Sequence, residues 1–94
     1  MFHILTLTYL EPLEVIDRTR PAHLDWLTAE VAAGRVVLAG RQESQTGGVL
    51  VTGDISVEEA QDVIDRDPYQ QAGLVRYDRL SFTAGFRAPG LSDR

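Results

Sequence analysis

The first residues after Met1 alternate between two sets of side chains, and neither set is strongly polar. Residues 2–9 place Phe2, Ile4, Thr6 and Thr8 on one side, and His3, Leu5, Leu7 and Tyr9 on the other. An alternation with a period of two predicts a β-strand. Because both sides are largely apolar or β-branched, we expect this strand to lie in a sheet that is covered on both faces.

A first segment with helical spacing runs from Arg20 to Ala33. Thr19 is its candidate N-cap, Pro21 stands in its first turn and Gly34 follows its end. A separate helical turn around residues 15–16 is expected before it. The apolar positions of the helix are Leu24, Leu27 and Val31, with Trp26 beside them. This spacing predicts a helix packed on the sheet.

A second helix is predicted to begin near Val57, because Ser56 and Glu59 form a capping box. Pro68 disfavours helical geometry at the preceding residue, so we expect this helix to close at Asp67, which can cap a short turn leading to Gly73. The positions expected to face the core are Val57, Ala60, Val63 and Ile64.

Three further segments are typical of strands: residues 36–40, expected to be buried, residues 48–53 and residues 74–86. The order strand, helix, strand, strand, helix, strand predicts an α+β fold of the ferredoxin-like βαββαβ type, with both helices on one face of an antiparallel sheet. We expect one domain, residues 1–86, and a flexible tail, residues 87–94. A second copy of the chain is expected to cover the other apolar face, giving a homodimer.

Composition narrows the possible functions. The chain of 94 residues carries a net charge of −5 and its nine basic residues are all arginine, so we expect no nucleic-acid partner. The absence of lysine and cysteine excludes Schiff-base, P-loop and thiolate chemistry, and we expect no cofactor. Without a basic leader or a run of about 20 apolar residues, we expect a cytoplasmic protein with no membrane partner.

His23 and Asp67 are the candidate acid–base pair. An imidazole titrates near neutrality, and a carboxylate on one ring nitrogen fixes the tautomer and raises the basicity of the other. Two structural readings stay open at this point: His23 borders the core and can be a hydrogen-bonded structural residue, and Asp67 before Pro68 can be a helix cap alone. Contact between the two side chains, within about 2.6–3.2 Å or through one water, is the test.

Arg20 and Tyr69 are candidate substrate-binding residues. Arg20 lies one turn before His23 and offers a planar fork of donors to a carboxylate or phenolate, or it pairs with Asp17 or Glu14 on the surface. Tyr69 can donate a hydrogen bond to an oxyanion, or it packs beside Pro68. We expect no metal site, because the two histidines do not belong to a recognised ligand spacing.

Four pieces of the chain, in register, resemble the YCII-related family of small proteins. They are Arg20-Pro21-Ala22-His23-Leu24, Gly34 with an apolar strand ending Ala39-Gly40, Ser56-x-x-Glu59-Ala60, and Asp67-Pro68-Tyr69 with Ala72-Gly73. The resemblance covers about residues 1–86. It implies a dimeric α+β barrel and an active site formed by a histidine and an aspartate, which fall here on His23 and Asp67. One member type resembles a dehydrochlorinase that acts on a chlorinated aromatic ring.

Three functions are compatible with these features. The first is a small cofactor-independent lyase or isomerase that uses His23 and Asp67 on an anionic or aromatic substrate. The second is a non-catalytic dimer that binds a small metabolite or serves as an accessory subunit. The third is a structural dimer domain in which the histidine is buried and satisfied. Access to His23 from a pocket distinguishes the first from the other two.

Overall fold

A computed structural model describes residues 1–90, and part of the predicted tail, residues 91–94, lies outside the described residues. The chain folds into β1 (Phe2–Tyr9), α1 (Leu13–Ala32), β2 (Val36–Arg41), β3 (Gly47–Thr52), α2 (Val57–Arg66), α3 (Pro68–Gln71) and β4 (Val75–Phe82). The four strands form one antiparallel sheet in the order β2-β3-β1-β4. The predicted ferredoxin-like α+β fold is confirmed.

The helices cover one face of the sheet, and the core lies between them. Alternate residues of β1 point into this layer, where Leu5 and Leu7 are almost completely buried. Leu50 of β3 pairs with Leu5 across the sheet. The buried core residues contributed by the other elements are Ile16, Val36, Val63, Ile64, Tyr69 and Val75.

Helix α1 is longer than the sequence predicts. It begins at Leu13 with Pro12 as N-cap, so Thr19 lies inside the helix and the separate turn around residues 15–16 does not exist. Pro21 stands in its interior with an exposed ring, although it cannot donate to the carbonyl four residues earlier. The prediction was wrong because packing outweighs this loss: Ile16, in the N-terminal half of α1, is completely buried.

The buried stripe of α1 is also different from the predicted one. Ile16, His23 and Glu30 are its buried residues, whereas Leu24 and Val31 are 43% and 47% exposed. The spacing of seven residues is helical, but two of the three positions carry polar side chains, which hydrophobic patterning does not register. Of the predicted apolar positions, Leu27 and the neighbouring Trp26 pack against the core, whereas Leu24 and Val31 do not.

Glu30 is held by two arginines at the end of α1. Its carboxylate receives Arg35 Nε at 2.7 Å and Arg66 Nη2 at 2.8 Å, and Arg35 Nη2 lies 2.6 Å from Oε1. Glu30 is 1% exposed, while the side chains of Arg35 and Arg66 reach solvent. This ion-pair cluster joins the end of α1 to the end of α2.

The remaining elements agree with their predicted order but not with every boundary. The capping box at Ser56 and Glu59 is present and α2 begins at Val57. Strand β4 ends at Phe82 rather than at Phe86. Strand β2 is an edge strand whose middle residues are exposed, so the prediction of a buried strand was wrong. An apolar run identifies a strand without identifying its place in the sheet.

The second face of the sheet carries apolar residues that none of the described helices covers, and the Arg87 guanidinium lies over the Phe2 ring, 5.1 Å from its centroid. Phe2 pairs with Phe82 and Ile4 pairs with Leu80 on this face. Leu38 and Leu80 are 66% and 63% exposed. The apolar residues of this open face, as we call it, are Phe2, Ile4, Leu38, Val49, Val51, Leu80 and Phe82, and the register places Thr6, Thr8, Arg76 and Asp78 on the same face. Across residues 1–90, none of the helices combines the length and the apolar character that crossing a membrane requires.

Candidate acid–base site

The site is organised around Asp67, which lies where two helices meet. Asp67 ends α2 and is the N-cap of α3, where its Oδ1 accepts a hydrogen bond from the backbone N–H of Tyr69 at 2.9 Å. Pro68 at the first position of α3 has the backbone angle that a helix start needs. Asp67 is completely buried. The backbone therefore fixes this carboxylate in the protein interior.

His23 lies within hydrogen-bond distance of this carboxylate. Its Nδ1 is 2.8 Å from Asp67 Oδ1, the same oxygen that caps α3. A carboxylate only accepts hydrogen bonds, so the contact is a hydrogen bond in the tautomer that carries the proton on Nδ1. The lone pair of Nε2 then has no hydrogen-bond partner among residues 1–90.

Tyr77 of β4 is the third hydrogen-bond donor to Asp67, and the sequence analysis did not identify it. Its hydroxyl donates to Oδ2, so Asp67 accepts from His23, from Tyr69 N–H and from Tyr77. Burial, followed by the charge of Asp67, raises the pKa of Tyr77 far above its ordinary value. Tyr77 lies on the same side of β4 as the buried Val75. The alternation of side chains along the strand could therefore have indicated that Tyr77 faces the protein interior.

Tyr77→Phe is expected to lower the free energy of unfolding by about 1–3 kcal/mol, because it leaves a buried carboxylate oxygen without its donor. Urea unfolding followed by circular dichroism measures this loss. Tyr9→Phe removes a hydroxyl from a partly buried tyrosine without touching Asp67, and is the matched control. Equal stability of Tyr77→Phe and the wild type would contradict the assigned hydrogen bond.

Tyr69 packs against the imidazole. The rings of Tyr69 and His23 are stacked with centroids 4.0 Å apart and an angle of 12° between their planes, and the ring centroid of Trp26 lies 5.2 Å from that of His23. Burial raises the pKa of Tyr69 to about 12. Its hydroxyl therefore remains a proton donor at neutral pH. Both candidate readings of Tyr69, a packed aromatic ring and a donor, are compatible with this position.

The two raised tyrosine pKa values predict a loss of stability at high pH. An unfolded tyrosine ionises near pH 10, whereas Tyr69 ionises near pH 12 in the folded chain and Tyr77 higher still. Their contribution is complete below about pH 10 and decreases as the pH rises through the folded pKa values. Urea midpoints measured between about pH 9 and pH 12 are expected to fall more steeply in the wild type than in Tyr77→Phe. Parallel curves would contradict this assignment.

A cavity of about 210 Å³ lies beside His23 and Tyr69, between α1 and the β2 end of the sheet. Gly48 lies between Leu7 and Arg41 in the register of the sheet, and a Cβ at this position would lie 3.2 Å from the carbonyl oxygen of Gly40 and 3.3 Å from the Leu7 side chain. Its other lining residues are Tyr9, Arg20, Leu24, Leu27, Ala39, Gly40 and Leu50. Arg20 and Tyr69 are thus brought together with His23.

Arg41 and Tyr9 also line the cavity and were not among the predicted site residues. Arg41 Nε donates to Tyr9 Oη at 3.0 Å, and its Nη2 lies 2.6 Å from Asp17 Oδ1. Arg41 directly follows the apolar residues 36–40, which placed it at the end of a strand. No local pattern in the sequence indicates that this end faces His23.

His3 does not line the cavity, and both of its ring nitrogens form hydrogen bonds within the fold. Its Nε2 is 2.9 Å from the carbonyl oxygen of Ile55, and its Nδ1 is 2.7 Å from Ser81 Oγ. Because a carbonyl only accepts, Nε2 of His3 carries the proton. Within residues 1–90, no three potential metal-binding side chains of the histidine, cysteine or carboxylate kind are grouped to hold an ion.

Comparisons with known proteins agree with this architecture. A curated relative, a 12 kDa protein of Mycolicibacterium smegmatis, is 71% identical over 24 residues, which are 26% of this chain and the whole of the relative's sequence. A solved structure, 5-chloro-2-hydroxyhydroquinone dehydrochlorinase from Burkholderia phenoliruptrix in complex with 2,5-dihydroxybenzoquinone, has a TM-score of 0.73 and 22% identity. The match covers 90% of this chain and 96% of the dehydrochlorinase. At this identity the likeness concerns the fold.

The sequence model of the YCII-related domain matches residues 1–81, which comprise all seven helices and strands except the last residue of β4. The match includes His23, Asp67 and Tyr77, together with all the residues that line the cavity. The chain therefore belongs to the YCII-related family.

Proposed function

We propose that the protein is a small enzyme of the lyase or isomerase kind in which His23 transfers a proton and Asp67 orients it. The observation that carries this proposal is the 2.8 Å contact between His23 Nδ1 and Asp67 Oδ1, with His23 lining a cavity. No cofactor is required in this mechanism, because the imidazole itself removes and returns the proton.

The proton is transferred at Nε2 of His23. In the neutral ring Nδ1 donates to Asp67 and Nε2 carries the lone pair, so Nε2 accepts a proton from the substrate. The imidazolium that forms is stabilised by the buried carboxylate, which Tyr77 and the α3 backbone hold in place. The protonated ring then returns the proton as a general acid.

The cavity supports a small aromatic or anionic substrate. Its apolar walls include Leu7, Leu27 and Leu50, whereas Arg20 and the Tyr69 hydroxyl provide donors for a carboxylate or phenolate oxygen. The structural neighbour is a dehydrochlorinase in complex with a dihydroxybenzoquinone. We propose a hydroxylated ring of this size as substrate, with proton removal from the ring or from its hydroxyl group by His23.

A substrate screen with matched histidine variants tests the proposal. Chlorinated hydroquinones, including 5-chloro-2-hydroxyhydroquinone, and small hydroxylated aromatic acids are incubated with the protein, and chloride release and ultraviolet spectra are followed. For the substrate that turns over, His23→Ala is expected to lower kcat/KM by about 10²–10⁴-fold, the usual contribution of general acid–base catalysis.

His3→Asn is the matched control, since His3 is buried and hydrogen-bonded far from the cavity. It is expected to lower stability but to keep kcat/KM within about threefold of the wild type, because it removes no group that acts on the substrate. An active His23→Ala protein, confirmed as folded by circular dichroism, would contradict the mechanism and leave a binding protein as the better account.

We also propose that the protein is a homodimer that pairs its open faces. The support is the row of exposed apolar residues on that face, which would be in contact with water in a monomer. The chain has a mass of 10.4 kDa, so light scattering distinguishes one copy from two. The wild type is expected at twice this mass and Leu80→Arg near the monomer mass, because an arginine on each open face adds charge to an apolar interface.

Val31→Arg is the matched control for Leu80→Arg. Val31 is 47% exposed on α1, away from the open face, so the same substitution there is expected to leave the dimer intact. A wild-type protein that remains a monomer at high concentration would contradict the homodimer while leaving the acid–base proposal untouched.

A further inference from the structure

We propose that Arg41 and Arg20 form an anion subsite at the β2 end of the cavity, which binds the carboxylate or phenolate of a ligand built on a single ring. This inference depends on the proposed function in one respect: it places the reacting group of the ligand at His23. It assigns Arg41 a binding role and limits the ligand to one anionic group.

Arg41 is fixed in position and retains free donors. A guanidinium has five N–H groups. One N–H goes to Tyr9 Oη and one to Asp17 Oδ1, which leaves three without a partner among residues 1–90. The guanidinium also lies over the Tyr9 ring, 5.5 Å from its centroid. A donor group held in this way loses little conformational entropy when it binds an anion.

The charges around this end of the cavity are not balanced. Arg20 and Arg41 each contribute one positive charge, and Asp17 contributes one negative charge. Arg20 has no ion pair or side-chain hydrogen bond with any of residues 1–90. Both positive charges are near the Tyr69 hydroxyl, where they oppose the burial that raises the pKa of Tyr69 to about 12. One additional anionic group would neutralise the excess positive charge.

The shape of the cavity specifies the rest of the ligand. Its volume of about 210 Å³ is below the roughly 300–1,000 Å³ typical of sites for drug-sized molecules, so the ligand is smaller. Leu24, Leu27 and Leu50 provide apolar walls of the same cavity. A flat ring fits between these walls, with its anionic group at Arg41 and its proton-bearing group at His23.

Calorimetric titration with pairs of matched probes tests this inference. Benzoate is compared with benzamide for the carboxylate class, and 4-nitrophenolate with 4-nitroaniline for the phenolate class. The wild type is expected to bind at least one anion about tenfold or more tightly than its neutral partner. Arg41→Gln, which removes the charge, is expected to abolish that preference. The class that shows the preference identifies the anionic group of the natural ligand.

Arg76→Gln is the control, because Arg76 lies on β4 with its side chain 64% exposed and does not line the cavity. It is expected to keep the anion preference. Equal affinities for both members of both pairs, or a full preference in Arg41→Gln, would overturn the inference. Arg20→Gln provides the second variant if Arg41→Gln does not fold, and it is expected to weaken anion binding at least threefold; an unchanged affinity would overturn the subsite as well.

The inference and the proposed function fail separately. His23→Ala leaves both arginines in place, so it is expected to keep the anion preference while losing turnover. If anion binding depends on Arg41 but no turnover depends on His23, the anion subsite is supported and the proposed enzyme function is contradicted. If turnover depends on His23 but the protein shows no preference for the anionic probes, the proposed enzyme function is supported and the anion subsite is contradicted.

Discussion

Asp67→Asn is expected to lower kcat/KM by about 10²–10⁴-fold while leaving the fold largely intact. The asparagine carbonyl can still accept from Tyr69 N–H and His23 Nδ1, and its amide can donate to Tyr77 Oη, so each hydrogen bond at this position has a replacement. What is lost is the negative charge that stabilises the imidazolium. Steady-state kinetics and urea unfolding of the same variant measure the two effects.

Asp67→Ala is the informative contrast to Asp67→Asn. It removes the cap of α3 and leaves Tyr77 Oη and His23 Nδ1 without partners. The expected loss in the free energy of unfolding is about 3 kcal/mol or more. If Asp67→Asn were as active as the wild type, Asp67 would be a helix cap and no more, and the charge would have no role in catalysis.

The second large effect is expected at Glu30. Removal of both cations in an Arg35→Ala, Arg66→Ala double variant leaves a buried carboxylate without a partner, which is expected to cost about 3–5 kcal/mol of unfolding free energy. Glu30→Met removes the carboxylate instead and keeps a side chain of similar length. It is expected to cost less than about 1 kcal/mol, because both arginines reach solvent and a buried ion pair is often replaceable by an apolar group.

Urea unfolding of Glu30→Met and of the arginine double variant, followed by circular dichroism, measures the difference between their losses of unfolding free energy. Arg76→Ala, Arg79→Ala is the matched control, since it removes two exposed arginines that do not contact Glu30. A Glu30→Met protein that is less stable than the arginine double variant would contradict the view that desolvation of the carboxylate dominates this cluster.

The second helix and the order of the elements follow from local rules in the sequence. The capping box at Ser56 and Glu59 and the proline after Asp67 determine where α2 begins and ends, and both act within a few residues. The order of strands and helices leaves few arrangements for a chain of this length, and the ferredoxin-like one is confirmed. The family resemblance, confirmed over residues 1–81, placed His23 and Asp67 together as site candidates.

The first helix was predicted less well because its determinants are tertiary. Pro21 reads locally as a helix start, but the burial of Ile16 extends α1 by two turns on its N-terminal side. His23 and Glu30 take the core positions that apolar residues usually occupy. Their partners are Asp67 and two arginines that are distant in sequence, so the local pattern in α1 places His23 at the border of the core but does not predict how completely the two side chains are buried.

Tyr77 and Arg41 were missed for a related reason. Each lies in a strand whose contacts depend on register: Tyr77 pairs with Leu7 and Arg41 pairs with Gly48. A change of one residue in either register would turn these side chains to the open face. The sequence predicted the strands but not their alignment, and the alignment is what brings a phenol to Asp67 and a guanidinium to the cavity.

The tautomers of the two histidines test the central claim most directly, because they require no substrate. At about pH 9, well above the ordinary pKa of an imidazole, long-range proton–nitrogen NMR distinguishes the protonated nitrogen of a neutral ring from the unprotonated one. His3 is the internal reference, with its proton on Nε2 beside the Ile55 carbonyl. We predict the opposite tautomer for His23: a proton on Nδ1, facing Asp67, and a lone pair on Nε2. A proton on Nε2 of His23 would contradict the account, because the base proposed for the cavity would then have no lone pair to offer.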